Sequence, residues 1–219
     1  MKTTKGEQTR ARILDAALVL FRKHGYERTT MRAVAESAGV SLGNAYYYFE
    51  SKESLIQAFY GRTHDQHLAA CEPILEREKD FRKRLEGVMK AKLQTIAPYH
   101  RFAGVLFKTA ADPQSPLNPF SDASRPVRQE AKELFGRVFR ESNAKAPNKL
   151  AEELPDLLWT YHMGIVLYWI HDDSPRARKT QRLVDETIDL IVKLVALSRL
   201  PPVRPLVTRA LRLVATLRG

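Results

Sequence analysis

The chain has 219 residues, enough for one large domain or for a small and a medium-sized one, and its formal net charge of +11 favours a polyanionic partner such as nucleic acid or an anionic membrane surface. The single cysteine, Cys71, excludes an intramolecular disulfide and indicates a reducing compartment. No apolar run approaches the roughly 20 residues that a membrane span needs, and residues 1–5 do not lead into a signal-peptide core, so a cytoplasmic location is expected.

The first predicted element is an amphipathic helix over residues 9–24, which follows a short polar arm at residues 1–8. Gly25 ends this helix, because glycine closes a helix without a Cβ clash. The apolar side of the helix needs a partner, and the stretch of residues 30–49 is the nearest one. Together these elements predict a three-helix minidomain of about 50 residues, which is small enough to need support from the rest of the chain.

Residues 30–49 predict two short helices joined by a tight turn. Apolar residues recur on the first helix with the spacing of one buried helical face, namely Met31, Val34, Ala35 and Ala38. Thr30 is the expected N-cap of the first helix and Ser41 that of the second, since a hydroxyl oxygen accepts from a free first-turn N–H. Gly39 is placed to end the first helix in a left-handed conformation.

The second of these helices has an unusual outer surface. Its outward positions hold side chains that contribute little to solubility or to a core, namely Leu42, Gly43, Asn44, Tyr46 and Tyr47. Small and hydrogen-bonding residues at a helix N-terminus, followed by tyrosines, suit insertion into the major groove of DNA. A helical hairpin within an unrelated bundle is the alternative, because short helix-turn-helix patterns also occur without DNA binding.

A long helix is predicted to follow from residue 52 into the 70s, where it links the minidomain to the remainder of the chain. Helical periodicity also predicts elements over residues 79–97, 101–111 and 126–142, with a proline-rich loop over residues 112–119. No stretch shows the sustained alternation of a strand. The predicted fold class is therefore all-α.

Residues 154–170 predict a helix without a polar face, which must be covered on all sides. The next predicted helix, over residues 176–199, also carries a strong apolar stripe. Two such helices from each of two chains would form a four-helix bundle across a two-fold axis. The residues expected at this interface are Tyr161, Ile165, Trp169, Ile188, Ile191 and Val195. The alternative is that both helices are central elements of a monomer.

The last predicted helix, over residues 203–218, is apolar on one side and carries arginine and threonine on the other. Such a helix can bind a membrane surface, or it can dock its apolar side on its own bundle. Both interpretations stay open. A basic helical protein that acts at a membrane surface or through other interactions is the alternative to a DNA-binding function.

A cavity is predicted beside the long helix, because His67 shares a helix face with Phe59 and Thr63. The residues expected to surround it are Phe59, Thr63, His67, Tyr99, Phe102, Leu106, Trp159 and His162. The alternative is that these aromatic residues belong to an ordinary core, where aromatic side chains at helical spacing are common.

Metal-binding and catalytic patterns are weak in this sequence. His64, His67 and Cys71 lie on one helix at spacings that could converge on a metal, but they span two turns and have no evident fourth ligand, so no metal is predicted. No Ser/His/Asp set, glycine-rich phosphate loop or pair of acidic residues with recognisable spacing occurs. Neither an enzyme activity nor a cofactor is therefore predicted.

The first 55 residues carry many characteristic residues in one register. These are Gly25-Tyr26, Thr29-Thr30, Ala35, Ala38-Gly39-Val40-Ser41, Gly43, Tyr46, Tyr48-Phe49 and Ser51-Lys52-Glu53-Ser54-Leu55. This pattern closely resembles the DNA-binding domain of the tetracycline-repressor (TetR) family and covers about a quarter of the chain. The remainder resembles the family only in its helical layout.

The resemblance implies an Ω-shaped, all-α homodimer that represses transcription from an inverted-repeat DNA operator until a small molecule releases it. Because the predicted cavity is mostly apolar, this effector is expected to be largely hydrophobic. It also implies a helix-turn-helix DNA-binding domain at residues 1–51 and a ligand-binding and dimerisation domain at residues 52–219. Carried over by position, the DNA-binding residues are Thr30, Arg32, Ser41, Leu42, Gly43, Asn44, Tyr46, Tyr47, Tyr48 and Lys52.

The resemblance assigns different roles to these residues. Residues 42–44 and Tyr46 would face the groove, while Arg32 would lie near a base edge or a phosphate. Contacts to phosphates are implied for Lys52, for the N-cap residue Thr30, and for Tyr47 and Tyr48. Many family members have a polar or basic residue where this chain has Leu42, so readout at that position should be weaker or different, such as apolar contact with a thymine methyl.

Overall fold

This computed structural model describes residues 4–218, apart from the side chains at positions 101, 105, 108, 214, 215, 217 and 218. The regular structure of these residues consists of helices. No strand occurs among these residues, and the all-α prediction is confirmed. Single-turn 3₁₀ helices lie at Ala97–Tyr99 and Pro175–Ala177. The α-helices are α1 (Lys5–His24), α2 (Met31–Ala38), α3 (Leu42–Tyr48), α4 (Lys52–Arg77), α5 (Phe81–Ile96), α6 (His100–Ala110), α7 (Arg125–Arg140), α8 (Asn148–Ile170), α9 (Arg178–Leu197) and α10 (Arg204–Arg218).

Helix α1 begins at Lys5, earlier than the start predicted at residue 9, because a capping box closes its N-terminus. The Thr4 hydroxyl accepts from the Glu7 N–H at 3.2 Å, and the Glu7 carboxylate accepts from the Thr4 N–H at 2.7 Å. The prediction of an arm over residues 1–8 was therefore wrong from Lys5 onward, and its residues 1–3 lie outside the described part. Apolar periodicity, on which that prediction relied, does not extend to these polar residues.

The helix predicted over residues 154–170 extends from Asn148 to Ile170 as α8. Its added residues are mostly polar and carry no apolar periodicity, so the pattern did not include them. Within the apolar stretch, Trp169 is buried, whereas Leu167 and Tyr168 are exposed. Among residues 4–218, no helix combines the length and the apolar character needed to cross a membrane.

Two compact units divide the chain, and each combines segments that are distant in sequence. Unit 1 holds the residues up to Asp65 together with Ile96–Arg128. Unit 2 holds Gln66–Thr95 and the residues from Gln129 onward, so α4 contributes to both units. The domain boundary between residues 51 and 52 stays a prediction, since these units describe packing and not independent folding.

The core of unit 1 is built around α1, α2 and α3. Ile13 and Ala17 of α1, Val34 of α2 and Ala45 of α3 are fully buried. Residues of α4, α6 and the following loop join the same cluster, namely Leu55, Ile56, Phe59, Phe102, Leu106, Ala110 and Leu117. These contacts supply the support that a three-helix minidomain of this size needs.

Unit 2 contains a fully buried arginine that joins the ends of two helices. Arg84 of α5 donates to five acceptors at 2.8–3.1 Å, namely the carbonyl oxygens of Leu75, Glu78, Arg137 and Val138 and the carboxylate of Glu141. Carbonyl groups in the last turn of a helix lack intrahelical donors, and a positive charge is favourable there. Arg84 therefore caps the C-terminal ends of α4 and α7 together.

A buried carboxylate holds the turn before α9. Asp172 accepts from the N–H and hydroxyl of Ser174 at 2.9 and 2.6 Å, and from the N–H and hydroxyl of Thr180 at 2.8 and 2.7 Å. Burial disfavours the charged form, but these hydrogen bonds outweigh it and hold the pKa of Asp172 well below its usual range. A lowered pKa in the folded state means that the carboxylate stabilises the fold above the unfolded value of about 3.9, and that this stabilisation is lost as the pH falls through the folded-state pKa.

We expect Asp172→Asn to lower the free energy of unfolding by about 1–3 kcal/mol at neutral pH, because the amide cannot accept all four hydrogen bonds. The difference from the wild type should shrink below about pH 4, where the wild type begins to lose its own contribution. Urea unfolding followed by circular dichroism at both pH values measures this. Asp173→Asn is the control, since Asp173 is exposed and its ion pair with Lys179 is long, with 3.7 Å between the charged atoms. An equal loss in both variants would contradict the assignment.

Candidate functional site

The helix-turn-helix predicted over residues 30–49 is formed by α2 and α3, with the expected caps. The Thr30 hydroxyl accepts from a first-turn N–H of α2 at 3.2 Å, and the Ser41 hydroxyl accepts from a first-turn N–H of α3 at 3.1 Å. Gly39 has φ 64° and ψ 39°, a left-handed conformation that glycine adopts without steric cost. These contacts fix the end of α2, the turn and the start of α3, and so they set the direction of α3 relative to α2.

The outer face of α3 presents hydrogen-bonding and aromatic groups to solvent. Gly43, Asn44, Tyr46 and Tyr47 are exposed, and Tyr47 retains 81% of its accessible surface. Apart from the neighbouring residues and backbone of α3 itself, no atom of the described residues lies within 4 Å of the point where a Cβ at Gly43 would stand. The opposite side is anchored by Ala45, which is fully buried. Helix α3 is therefore fixed on one side and open to a partner on the other.

Leu42 and Tyr48 differ from the other predicted groove and phosphate residues. Both are half-buried and pack against the core cluster of unit 1. Leu42 thus supports the position of α3 besides its predicted contact with base edges. Tyr48 has its ring edge-on to that of Tyr47, with 5.1 Å between the centroids.

The two cations predicted to bind DNA have different surroundings. Arg32 is exposed on α2. Lys52 Nζ donates to the carbonyl oxygens of Tyr26 at 3.0 Å and Glu27 at 3.4 Å, and it lies 4.5 Å from the centroid of the Tyr26 ring. The Tyr26 hydroxyl donates to the Glu53 carboxylate at 2.7 Å. Lys52 and Glu53 therefore hold the α1–α2 turn against the start of α4, and a phosphate contact by Lys52 stays a prediction.

Five of the eight residues predicted to bind an effector lie in unit 1. The Phe59 ring meets the rings of Tyr99 and Phe102 edge to face, with centroid distances of 4.8 and 5.5 Å. Leu106 belongs to the same buried cluster. Thr63 is buried, and its hydroxyl donates to the Phe59 carbonyl at 3.0 Å. These contacts suit both a core and the wall of a pocket, so the ligand-binding role stays a prediction.

The other three predicted effector residues, His67, Trp159 and His162, are buried in unit 2. The two histidine rings stack, with 6.3 Å between their centroids and 12° between their planes. His162 also contacts the Phe135 ring at 5.6 Å. Nε2 of His67 lies 2.9 Å from the carbonyl oxygen of Val88. Sequence periodicity placed both histidines near one cavity but did not predict that they would stack.

The residues weighed as metal ligands do not form a metal site. Among the described residues, no three His, Cys, Asp or Glu side chains are arranged to hold an ion. Cys71 is fully buried, and burial raises the pKa of its thiol to about 12. The thiol is therefore protonated and unreactive at neutral pH.

The residues predicted at a dimer interface are mostly buried within the chain itself. Those that are buried there are Ile165, Trp169, Ile188 and Val195. Tyr161 is half-buried, with its hydroxyl 2.7 Å from that of Thr187, and Ile191 is half-buried. The apolar residues that α8 and α9 expose, each by 42–55%, are Leu167, Tyr168, Leu190, Leu194 and Leu197. An interface on these helices would thus be formed mainly by a different set of side chains.

Comparison with protein families gives two matches that together span most of the chain. The family described as "Bacterial regulatory proteins, tetR family" matches residues 13–59, and "Tetracyclin repressor-like, C-terminal domain" matches residues 84–213. The HTH-type transcriptional regulator UidR of Escherichia coli is 35% identical over 85 residues, which are 39% of this chain and 38% of UidR. The HTH-type transcriptional repressor KstR of Mycolicibacterium smegmatis is 51% identical over 55 residues, which are 25% of this chain and 27% of KstR. The matched part is thus well under half of these relatives.

Solved structures share the fold over most of the chain. The transcriptional regulator FadR from Bacillus subtilis, solved in complex with stearoyl-CoA, superposes with a TM-score of 0.65 and covers 83% of this chain and 97% of its own. Its sequence identity of 17% limits this likeness to the fold. The C-terminal family match alone spans more than half of the chain, and the N-terminal match coincides with the capped helix-turn-helix. The chain therefore belongs to the tetR family of bacterial regulatory proteins.

Proposed function

We propose that this protein is a ligand-responsive transcriptional regulator that represses genes by binding an inverted-repeat DNA operator as a homodimer. The observation that carries the proposal is the exposed face of α3, held by capped helix ends in a tetR-family chain. The net charge of +11 favours the same polyanionic partner. It is not an enzyme in this proposal, and no cofactor or metal takes part.

A membrane-surface role for α10 is less well supported. Helix α10 packs against α8, with Val207 and Leu211 half-buried. Leu206 and Leu213 remain exposed, so part of the apolar side of α10 is uncovered. The family match extends to residue 213 and so includes most of this helix in a regulator domain.

Asn44 is our principal candidate for base readout. It lies in the first turn of α3 and is exposed, so its amide can offer a donor and an acceptor to one base edge, as adenine requires. Tyr46 is also exposed on α3. Arg32, Thr30 and Tyr47 are exposed around this helix and can position it through phosphates, which carry affinity but little sequence information.

Selection of bound sequences from a random DNA pool tests the proposed function. We expect an inverted repeat whose half-sites are about 34–36 Å apart, the spacing of successive major grooves on one side of DNA. Affinity for the selected site should fall steeply with salt, because phosphate contacts release counterions. Binding to anionic lipid vesicles without enrichment of any DNA sequence would instead support the membrane alternative and overturn the proposal.

We expect Asn44→Ala to lose discrimination at one symmetric base-pair position by about 1–3 kcal/mol, because the bidentate amide contact is removed. Repeating the selection with the variant measures this. Asn148→Ala is the matched control, since Asn148 is an exposed asparagine in the first turn of α8. An unchanged consensus for Asn44→Ala would exclude Asn44 as a base reader.

For the homodimer, we assign the interface to the exposed apolar face of α8 and α9. Its members are Leu167, Tyr168, Leu190, Leu194 and Leu197. Exposed apolar side chains on two helices that pack together suit a protein–protein interface, and two copies of this pair of helices would form a four-helix bundle. Tyr161 and Ile191 can also contribute to this interface, since both retain some exposed surface.

An effector can act through α4. Its first turn is bonded to the α1–α2 turn through Lys52 and Glu53, and further along it carries Phe59, Thr63 and His67. A ligand that favours the DNA-incompetent form of the dimer weakens operator binding, and DNA must weaken the ligand by the same factor. A coupling of about 1–3 kcal/mol corresponds to roughly 5- to 150-fold weaker operator binding.

A further inference from the structure

The turn between α1 and α2 carries an arginine that is not among the predicted DNA-binding residues. Arg28 is exposed, and its Nε donates to the carbonyl oxygen of His24, in the last turn of α1, at 3.0 Å. This hydrogen bond uses one of the five donors of a guanidinium group. Among the residues that the structure describes, no carboxylate pairs with Arg28, including that of its exposed neighbour Glu27. Most of the guanidinium is therefore open to a ligand.

Arg28 starts from the same side of the chain as Thr30. The residue between them, Thr29, is buried, and its hydroxyl donates to the carbonyl oxygen of Gly25 at 2.8 Å. Thr30 is extended, with φ −111° and ψ 155°, and side chains alternate between the two sides of an extended segment. The Thr30 hydroxyl accepts from the N–H of Ala33 and can still donate its own proton. A cation and a hydroxyl donor thus flank one buried residue.

The first turn of α2 adds a second cation to this surface. Arg32 lies two residues beyond Thr30 and is exposed. Arg28, Thr30 and Arg32 therefore place three donors along the chain that leads into α2. In helix-turn-helix domains, the recognition helix lies in the major groove and the helix before it crosses the sugar–phosphate backbone. With α3 in the groove, the start of α2 is the part of the protein that meets the phosphates.

Lys52, to which the family resemblance gives a phosphate contact, is bound to the same turn from the other side. It is half-buried, and two of the three donors of its ammonium group go to the carbonyl oxygens of Tyr26 and Glu27. Its Nζ also lies 4.5 Å from the centroid of the Tyr26 ring. The charge of Lys52 is thus used within the protein, whereas the charge of Arg28 faces solvent.

We propose that the segment from Arg28 to Arg32 is a contact surface for the phosphate backbone of DNA, with the Arg28 guanidinium bound to a phosphate. Lys52 is a positioning residue that holds the turn from which Arg28 projects. A planar guanidinium matches two phosphate oxygens at once, which suits it to this contact. The inference rests on the proposed function, because it assigns how the regulator holds its operator.

The salt dependence of operator binding tests this assignment. Binding of the full-length protein to the selected operator and to a random duplex of equal length is titrated between about 50 and 200 mM salt. In a dimer, Arg28→Ala removes two phosphate contacts, so the slope of log affinity against log salt should become shallower by about 1.8. Affinity at 0.1 M salt should fall roughly 10- to 60-fold. The loss should be similar on both duplexes, since phosphate contacts carry no sequence information.

Arg22→Ala is the matched control. Arg22 is exposed on α1, and its Nε also donates to the carbonyl oxygen four residues earlier, that of Leu18, at 3.3 Å. The control removes the same charge and the same kind of hydrogen bond, but at a position remote in sequence from Thr30, and it should leave the slope nearly unchanged. Arg28→Lys should restore most of the slope, because an ammonium also neutralises a phosphate.

Melting temperatures separate DNA contact from a structural role. Arg28→Ala should melt at the wild-type temperature, because it loses only one exposed hydrogen bond. Lys52→Met should melt roughly 2–4 °C lower, since the turn loses its bonds to the ammonium, and should keep nearly the wild-type slope. An unchanged slope for Arg28→Ala, an equal loss for Arg22→Ala, or a shallower slope for Lys52→Met alone would overturn the assignment.

The wild-type protein distinguishes a failure of this inference from a failure of the proposed function. If no DNA sequence is selected, both fail. If an inverted repeat is selected and bound with a steep salt dependence that Arg28→Ala leaves intact, the regulator stands and only the contact by Arg28 is refuted.

Discussion

Replacing Arg84 with methionine is expected to lower the free energy of unfolding by about 3–5 kcal/mol, the cost of removing one partner from a buried, hydrogen-bonded charge network. The guanidinium is fully buried and donates to four carbonyl oxygens and one carboxylate. Methionine can fill much of the volume but cannot donate. The C-terminal carbonyls of α4 and α7 would then be buried without donors, which costs about 1–3 kcal/mol for each group left unsatisfied.

Urea unfolding followed by circular dichroism measures this effect. Arg82→Met is the matched control, because the Arg82 side chain lies on the same helix but is 42% exposed, and exposed ion pairs contribute about 0–1 kcal/mol. Arg84→Lys should fall between the two, since lysine keeps the charge with fewer donors. Equal stability of Arg84→Met and Arg82→Met would show that the buried network does not stabilise unit 2.

Leu194→Glu is expected to convert the proposed dimer into a monomer and to weaken operator binding by roughly 10²- to 10⁴-fold, the gain that a second linked binding site supplies. Leu194 is 55% exposed on α9, so glutamate there is solvated in the monomer and leaves the fold intact. In a two-fold interface the same carboxylate would be buried without a partner. The substitution therefore weakens dimer association and leaves the stability of the monomer nearly unchanged.

Sedimentation velocity at micromolar concentration and titration with the selected operator measure both effects. Leu206→Glu is the matched control, since Leu206 is 68% exposed on α10, outside the assigned face. Trp169→Glu is unsuitable as a test because Trp169 is buried within its own protomer, where a charge would unfold the chain. A wild-type protein that sediments as a 25.0 kDa monomer would refute the dimer, and dissociation by Leu206→Glu alone would place the interface on α10.

The sequence by itself determined the features that depend on residues close together in the chain. The all-α class follows from helical periodicity. The caps at Thr30 and Ser41 follow from hydroxyls that bond three positions ahead, and the cap at Gly39 follows from the left-handed backbone that glycine adopts. The exposed face of α3 was predictable for the same reason, since a short helix with Ala45 on its buried side must turn Asn44 and Tyr47 outward. The register of characteristic residues added the family.

Only the tertiary structure decided which side of an apolar helix packs into the core of its own chain and how buried charges are paired. Periodicity marked both Ile188 and Leu194 of α9 as apolar, but the packing of unit 2 buries the first and exposes the second. Arg84 looks like a surface cation in the sequence, and its acceptors are up to 57 positions away. Such choices depend on contacts between distant segments, which a local pattern of apolar and charged residues does not record.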